Sequence, residues 1–197
     1  MRKALPYSRL TPRKTRAKGR ARLDWYENVF ELIDMRSFSN LWYWIALAVV
    51  WSTASHWVLG VPFDLITRAR RKGGAVEQDM RTLLRINTGR ILYIAHVSGP
   101  WLAGVVFFVL TVLGMLGFYY GIEFGQAVFL ILAPMALVGV LSLRAARRVD
   151  AADSRGEDLF RQLLWHRRMV QVIGMISIFV TSMWGMYQNM QIGALGQ

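Results

Sequence analysis

The sequence predicts an all-α integral membrane protein with four transmembrane helices, arranged as two helical hairpins and preceded by an amphipathic interfacial helix. The chain of 197 residues is 54% hydrophobic and 18% charged, whereas soluble domains usually carry about 25% charged residues. Its apolar residues form four long runs without Asp, Glu, Lys or Arg, and a membrane span needs roughly 20 such residues. This pattern excludes an ordinary soluble enzyme.

The four apolar runs define the predicted spans, which extend over residues 41–63, 91–120, 127–143 and 169–187. The second run is too long for an upright span and too short for two. We therefore expect it to tilt, to bend near Gly99-Pro100 or to project from the bilayer. Pro134 predicts a kink in the third run. Aromatic residues cluster at the ends of the runs, as expected at a membrane interface.

Three parts are predicted along the chain: a basic disordered tail over 1–23, an amphipathic surface helix over 24–36, and a single four-helix membrane domain over 37–197. The tail contains nine basic residues and no acidic residue, which favours contact with anionic lipid head groups. It carries no folded nucleic-acid-binding motif, so we expect no sequence-specific nucleic-acid binding. Next in the chain, Asp24 and Glu27 have the spacing of a helix capping box.

The distribution of Lys and Arg predicts the orientation in the membrane. Ten lie before Leu41, seven between 62 and 90, seven between 144 and 168, and none in 121–126 or after Tyr187. Because positively charged loops remain in the cytoplasm, we expect loops 64–90 and 144–168 to be cytoplasmic and the C-terminus to lie outside. Four spans then place the basic N-terminal tail outside, which the same rule disfavours.

Three explanations of this conflict stay open. In the first explanation the first apolar run is re-entrant, since only eleven apolar residues precede the polar cluster Ser52–His56. Alternatively, the tail is translocated across the membrane. In the third explanation the native chain starts near Leu23, which removes nine of the ten N-terminal basic residues.

An internal repeat favours four spans. Residues Glu77–Leu84 resemble Glu157–Leu164, eighty positions later, and each segment follows a basic cluster that closes an apolar run. The chain then consists of two hairpins, about 41–120 and 127–187, whose inward helices we expect to pack on each other. The basic clusters are expected to contact anionic lipid or a partner protein, and they comprise Arg68, Arg70, Arg71, Lys72, Arg144, Arg147 and Arg148.

The sequence offers two speculative ligand sets and no catalytic motif. His56 and His96 could hold a haem b iron axially, although pairing with serine hydroxyls explains them as well. Met183, Met186 and Met190 share one helical face, which suits Cu(I), although ordinary helix packing explains this stripe too. The spans contain no charged residue, which argues against an ion-coupled transporter.

Small residues predict close helix packing. They are Gly117 and Gly121 at GxxxG spacing, and Gly174, Ser177, Thr181 and Gly185 along one side of the fourth helix. Contacts of this kind arise within one chain or between two chains. A homodimer therefore stays open at this point.

A longer motif carries a family resemblance. It consists of Asp24-Trp25-Tyr26, then Phe30–Trp44, Ser52–Trp57 and the basic residues 68–72, and it covers about the first third of the chain. This stretch resembles a group of small bacterial inner-membrane proteins that carry the description "component of SufBCD complex", which refers to iron–sulfur cluster assembly. The chain has no cysteine to hold a cluster, so the resemblance implies a membrane partner of that machinery. Members of the group start near the position of Asp24.

Taken together, these features predict a non-catalytic accessory or scaffold subunit that binds a partner protein or complex through its inward loops. A haem-binding membrane electron carrier is the first alternative, and a small-molecule or metal permease is the second. A visible absorption band would favour the haem alternative, and metal-dependent flux into vesicles would favour the permease.

Overall fold

The structure, a computed structural model, describes residues 37–151 and 156–195, with side chains described as far as residue 190. About 92% of the described residues are helical. The prediction of an all-α fold is therefore confirmed for the described residues. The predictions for residues 1–36, namely the basic tail, the surface helix and the start near Leu23, lie outside the described residues.

A short 3-10 helix, Ser37–Ser39, precedes five α-helices and one two-stranded hairpin. The elements are α1 (Leu41–His56), β1 (Trp57–Val58), β2 (Val61–Pro62), α2 (Phe63–Lys72), α3 (Gly74–Gly114, followed by a π-helical turn Met115–Tyr119), α4 (Glu123–Ala151) and α5 (Glu157–Leu195). Three of them, α3 with its π turn, α4 and α5, are long and apolar enough to cross a membrane. Helix α1 has 16 residues, fewer than a typical span.

The predicted span 41–63 is not one continuous helix, which corrects the sequence analysis. Helix α1 ends at His56 and is followed by the antiparallel pair β1–β2, in which Val58 is opposite Val61. The two turn residues, Leu59 and Gly60, have φ values of 51° and 76°, as a type I′ turn requires. A leucine in this left-handed region is unfavourable by roughly 1–2 kcal/mol, and burial of its side chain stabilises it there.

The two predicted basic loops are helical over most of their length. Residues 64–90 form most of α2 and the first part of α3; residues 144–151 form the end of α4, and residues 157–168 form the start of α5. Helix α3 continues through Pro100 and α4 through Pro134 without interruption. The three long helices therefore extend beyond their apolar runs without a break in the helix.

Two clusters of buried residues hold the described part together. The larger, which we call the basal core, comprises Val58, Leu59, Val61, Ile66, Ala69, Met80, Leu84, Ala146, Leu159, Phe160 and Leu163. The smaller, which we call the span core, comprises Leu47, Trp51, Val138 and Val170. Both repeat segments contribute buried residues to the basal core. Direct packing of the inward helices on each other stays a prediction.

Contacts at both ends of α1 fix its direction relative to α5. Next to its start, the Ser39 hydroxyl donates a hydrogen bond to Asn189 Oδ1 at 2.8 Å. Near its end, Arg167 Nε donates to the carbonyl of Ser55 at 3.3 Å. Helix α1 therefore runs antiparallel to α5, from beside Asn189 to beside Arg167.

Candidate functional site at the basic end

The basal core positions a basic surface on α2. Ile66 and Ala69 lie three residues apart and are buried in the core, so they fix which side of the short helix faces inward. The rest of the helix surface carries four exposed basic residues, which we call the α2 basic face. They are Arg68, Arg70, Arg71 and Lys72.

A second basic group follows the apolar part of α4. Arg144, Arg147 and Arg148 are exposed, and Ala146 between them is buried in the basal core. Both basic groups thus project from one folded core rather than from irregular loops. This arrangement concentrates positive charge at one end of the described chain, where anionic molecules are attracted.

Most of these basic groups have no acidic partner within the described residues. Two ion pairs occur there: Arg70 with Glu157 at 2.5 Å and Arg81 with Glu77 at 2.5 Å. The pair of Arg70 and Glu157 links α2 to the start of α5, but both side chains are about half exposed, so the pair contributes little stability. Six of the seven basic residues predicted to contact lipid or partner therefore have no acidic partner within 4.0 Å among the described residues.

A cavity of about 130 Å³ lies between the ends of α4 and α5, beside the basal core. Arg144 and Arg148 line it from α4, and Trp165 and His166 line it from α5. The His166 side chain is buried, and its Nε2 lies 3.4 Å from the hydroxyl oxygen of Ser142. Sequence reasoning missed this cavity, because the spacing of basic residues does not reveal which of them face a neighbouring helix.

The structure does not join the two histidines of the predicted haem site. His56 is exposed at the end of α1 and packs edge to face against Trp57, with ring centroids 5.9 Å apart. His96 is exposed on α3. Over residues 37–151 and 156–195 no hydrogen bond or ring contact links the two imidazoles, and no group of three His, Cys, Asp or Glu could hold a metal ion. The haem site stays a prediction.

The three methionines of the predicted copper stripe are exposed on α5. Met183, Met186 and Met190 each show half or more of their surface. Met183 lines a shallow groove together with Phe179, Trp184 and Tyr187. A copper site there stays a prediction.

Most of the predicted small residues make close contacts inside this chain. A Cβ on Gly117 would lie 2.6 Å from the backbone nitrogen of Gln126, and one on Gly174 would lie 2.8 Å from the Trp51 ring. On the same side of α5, Gly185 faces Phe38 and both Ser177 and Thr181 are buried.

Gly121 differs from the other small residues. It lies in the connection between α3 and α4 with a φ of 72°, and no atom lies within 4 Å of the position that a Cβ would occupy. A turn of this backbone conformation, rather than helix contact, accounts for the glycine. None of these small residues therefore requires a second chain.

A polar cluster at the opposite end of the spans was not anticipated from the sequence. Gln126 is buried; its Nε2 donates to the Gly117 carbonyl at 2.8 Å, and its Oε1 accepts from Trp184 Nε1 at 2.9 Å and from Gln188 Nε2. These bonds tie α3, α4 and α5 together. A single glutamine at the edge of an apolar run was the signal that could have identified it.

Comparisons of this chain with protein-family models, with curated proteins and with solved structures find no match. The fold class therefore rests on the helices and contacts described above. Function has to be inferred from the chemistry of the basic end.

Proposed function

We propose that the protein is a non-catalytic scaffold subunit of the bacterial inner membrane that holds an acidic protein partner at the cytoplasmic surface. The observation that carries this proposal is the α2 basic face. Its four basic residues project from a folded core, and three of them have no acidic partner among the described residues. A fixed array of like charges that is not neutralised internally favours an external partner of opposite charge.

We further propose that α1 crosses the membrane, which gives four spans. The contacts of Ser39 with Asn189 and of Arg167 with Ser55 support this, because α1 then extends between the same two ends as α5. Its helical part covers about 24 Å at 1.5 Å per residue, and the 3-10 helix and the β1–β2 hairpin add to that length. In this arrangement segments 64–90 and 144–168 are cytoplasmic and the C-terminus lies outside.

The resemblance of the N-terminal third indicates which partner to test first. It suggests the SufBCD iron–sulfur assembly complex, bound at the membrane through the α2 basic face. The absence of cysteine from the chain makes the proposed role that of an anchor, with the cluster chemistry performed by the partner.

A binding measurement with matched charge variants tests this proposal. The detergent-solubilised protein is titrated with purified SufBCD complex at low salt, and the triple variant Arg68→Gln, Arg71→Gln, Lys72→Gln is compared with the wild type. We expect the triple variant to bind roughly tenfold more weakly, and we expect wild-type binding to weaken as salt screens the charges.

The control is a second triple variant with the same loss of charge outside α2. Arg85, Arg90 and Arg147 are exposed, and their replacement by glutamine should leave binding within about twofold of the wild type. Equal losses in the two triple variants would show that only net charge matters and would contradict a specific α2 site. Absence of wild-type binding at low salt would exclude this partner.

A further inference from the structure

The cavity between α4 and α5 has an apolar wall built from both helices. Leu141 and Ala145 line it from α4, and Leu163 and Met169 line it from α5. Leu59 of the β1–β2 turn lines it as well. Leu141 and Ala145 are four positions apart, so they lie on the same side of α4, and the cavity lies between this side and α5.

Charged and polar groups surround this apolar wall. Arg144 and Arg148 are four residues apart on α4, so both guanidinium groups project on the same side of the helix. Neither has a carboxylate within 4.0 Å in the part of the chain that the structure describes. His166, only 6% exposed, adds a buried imidazole to the lining. Two adjacent positive charges repel each other, and an anion between them would remove that repulsion.

The position of the cavity along α4 matches the head-group layer of a membrane. Arg144 directly follows the last residue of the apolar run 127–143. Trp165 lines the same cavity and is 55% exposed, and tryptophan favours the membrane–water interface. Basic pockets between spanning helices at this depth bind anionic lipid head groups.

We propose that this cavity binds the phosphate of an anionic phospholipid from the cytoplasmic leaflet. Arg144 and Arg148 donate hydrogen bonds to the phosphate oxygens, a geometry for which guanidinium groups are well suited. The apolar wall contacts the glycerol backbone and the first acyl carbons. This inference deepens the proposed function, on which it rests for the choice of leaflet.

Lipid retention by matched arginine variants tests the inference. The purified full-length protein is mixed in detergent with phosphatidylglycerol or with phosphatidylcholine, and bound lipid is counted by native mass spectrometry. We expect selective retention of phosphatidylglycerol by the wild type. The double variant Arg144→Gln, Arg148→Gln should retain about tenfold less phosphatidylglycerol, or still less, since charge-assisted hydrogen bonds are removed.

The control variant carries the same loss of charge outside the cavity. Arg147 lies between the two cavity arginines on α4, and Arg90 lies on α3; neither lines the cavity. The double variant Arg147→Gln, Arg90→Gln should retain the lipid within about twofold of the wild type. Equal losses in both double variants, or equal retention of the two lipids by the wild type, would overturn the inference.

Two further measurements separate a lipid from a soluble phosphate. The variant Ala145→Leu reduces the cavity but keeps both arginines, and we expect it to lower retention of phosphatidylglycerol. Inorganic phosphate in millimolar excess should leave retention unchanged, because it lacks the acyl contacts. If phosphate displaces the lipid completely, the occupant is a free anion and the lipid site is wrong. If Ala145→Leu retains as much lipid as the wild type, the lipid does not occupy this cavity and the inference is wrong as well.

These outcomes are distinguishable from failure of the proposed function. Partner binding is measured with variants of α2, whereas lipid retention is measured with variants of α4. Loss of one property with retention of the other therefore identifies which of the two proposals fails.

Discussion

The basic end of the molecule and the layer of spanning helices are stabilised in different ways. The basal core has eleven buried apolar residues from the hairpin and four helices, whereas the span core has four. On α3, large side chains such as Phe107 and Phe108 are about 70% exposed. Lipid tails are as apolar as these side chains, so their exposure to a membrane is not unfavourable. The basic end thus has the organisation of a water-soluble core, and the span layer does not.

The span layer depends on close backbone approach and buried polar contacts instead. Gly117 and Gly174 allow their helices to approach Gln126 and Trp51 more closely than any side chain would permit. Gln126 connects three helices through its side-chain amide. Both devices are typical of helix association in lipid, where the hydrophobic effect does not drive helices together.

The largest predicted effect compares two leucines on the same helix. Leu84 of α3 is 2% exposed in the basal core, whereas Leu102 of α3 is 52% exposed. Leu84→Ala should lower the free energy of unfolding by about 2–5 kcal/mol, because it removes buried apolar atoms and leaves a cavity. Leu102→Ala should change it by less than about 0.5 kcal/mol. Unfolding in mixed micelles, followed by circular dichroism, measures both, and equal losses would contradict the comparison.

The next largest effect compares two glycines within the span layer. A Cβ on Gly117 would clash with the backbone of α4. A Cβ on Gly104 of α3 would have no neighbouring atom within 4 Å. Gly117→Ala should therefore destabilise the protein by about 1–3 kcal/mol through displacement of α4. Gly104→Ala should be neutral or stabilising by up to about 1 kcal/mol, because alanine favours a helix. The same unfolding assay would reject this account if Gly117→Ala were as mild as Gly104→Ala.

A smaller effect concerns the turn that separates α1 from α2. Asn87 Nδ2 of α3 donates a hydrogen bond to the Gly60 carbonyl at 2.8 Å. Asn87→Ala should lower the free energy of unfolding by about 0.5–1.5 kcal/mol. Gln78 on the same helix is exposed, and Gln78→Ala should change it by less than about 0.5 kcal/mol. A loss in Asn87→Ala no larger than that in Gln78→Ala would mean that the turn does not depend on this bond.

The smallest effect is expected at the surface of the basic end. A double-mutant cycle on Arg70 and Glu157, both replaced by alanine, should give a coupling free energy of at most about 1 kcal/mol, since the pair is exposed. The coupling should decrease as salt concentration rises. A coupling that is larger, or that is independent of salt, would show that this pair is part of the structural core.

The sequence was sufficient to predict the helical class and the long apolar helices, because an apolar run without charged residues has few alternatives to a helix in a membrane. It also indicated that segments 77–84 and 157–164 are related, and the two share the basal core. It did not predict the β1–β2 hairpin, since leucine is not a typical residue for a left-handed turn position. Contacts with α3 stabilise that turn, and these depend on the tertiary structure.

The candidate sites were harder to predict than the helices. Arg144, Arg147 and Arg148 are equivalent in sequence as members of one basic cluster, yet only the first and last line the cavity. The distinction arises from the rotation of α4 relative to α5, which residue spacing alone does not define. The histidine and methionine patterns were visible in the sequence, but no group of three His, Cys, Asp or Glu side chains that could hold a metal ion occurs among the described residues.

The topology of α1 is the most direct test of the account, and the absence of cysteine from the chain makes single-cysteine labelling free of background. Ser39, Lys72 and Asn189 are exposed positions at the two ends of the spans. A membrane-impermeant maleimide added to intact spheroplasts should label Ser39→Cys and Asn189→Cys, and should label Lys72→Cys only after the membrane is permeabilised. Labelling of Ser39→Cys and Lys72→Cys from the same side would contradict four spans and the proposed cytoplasmic position of the α2 basic face.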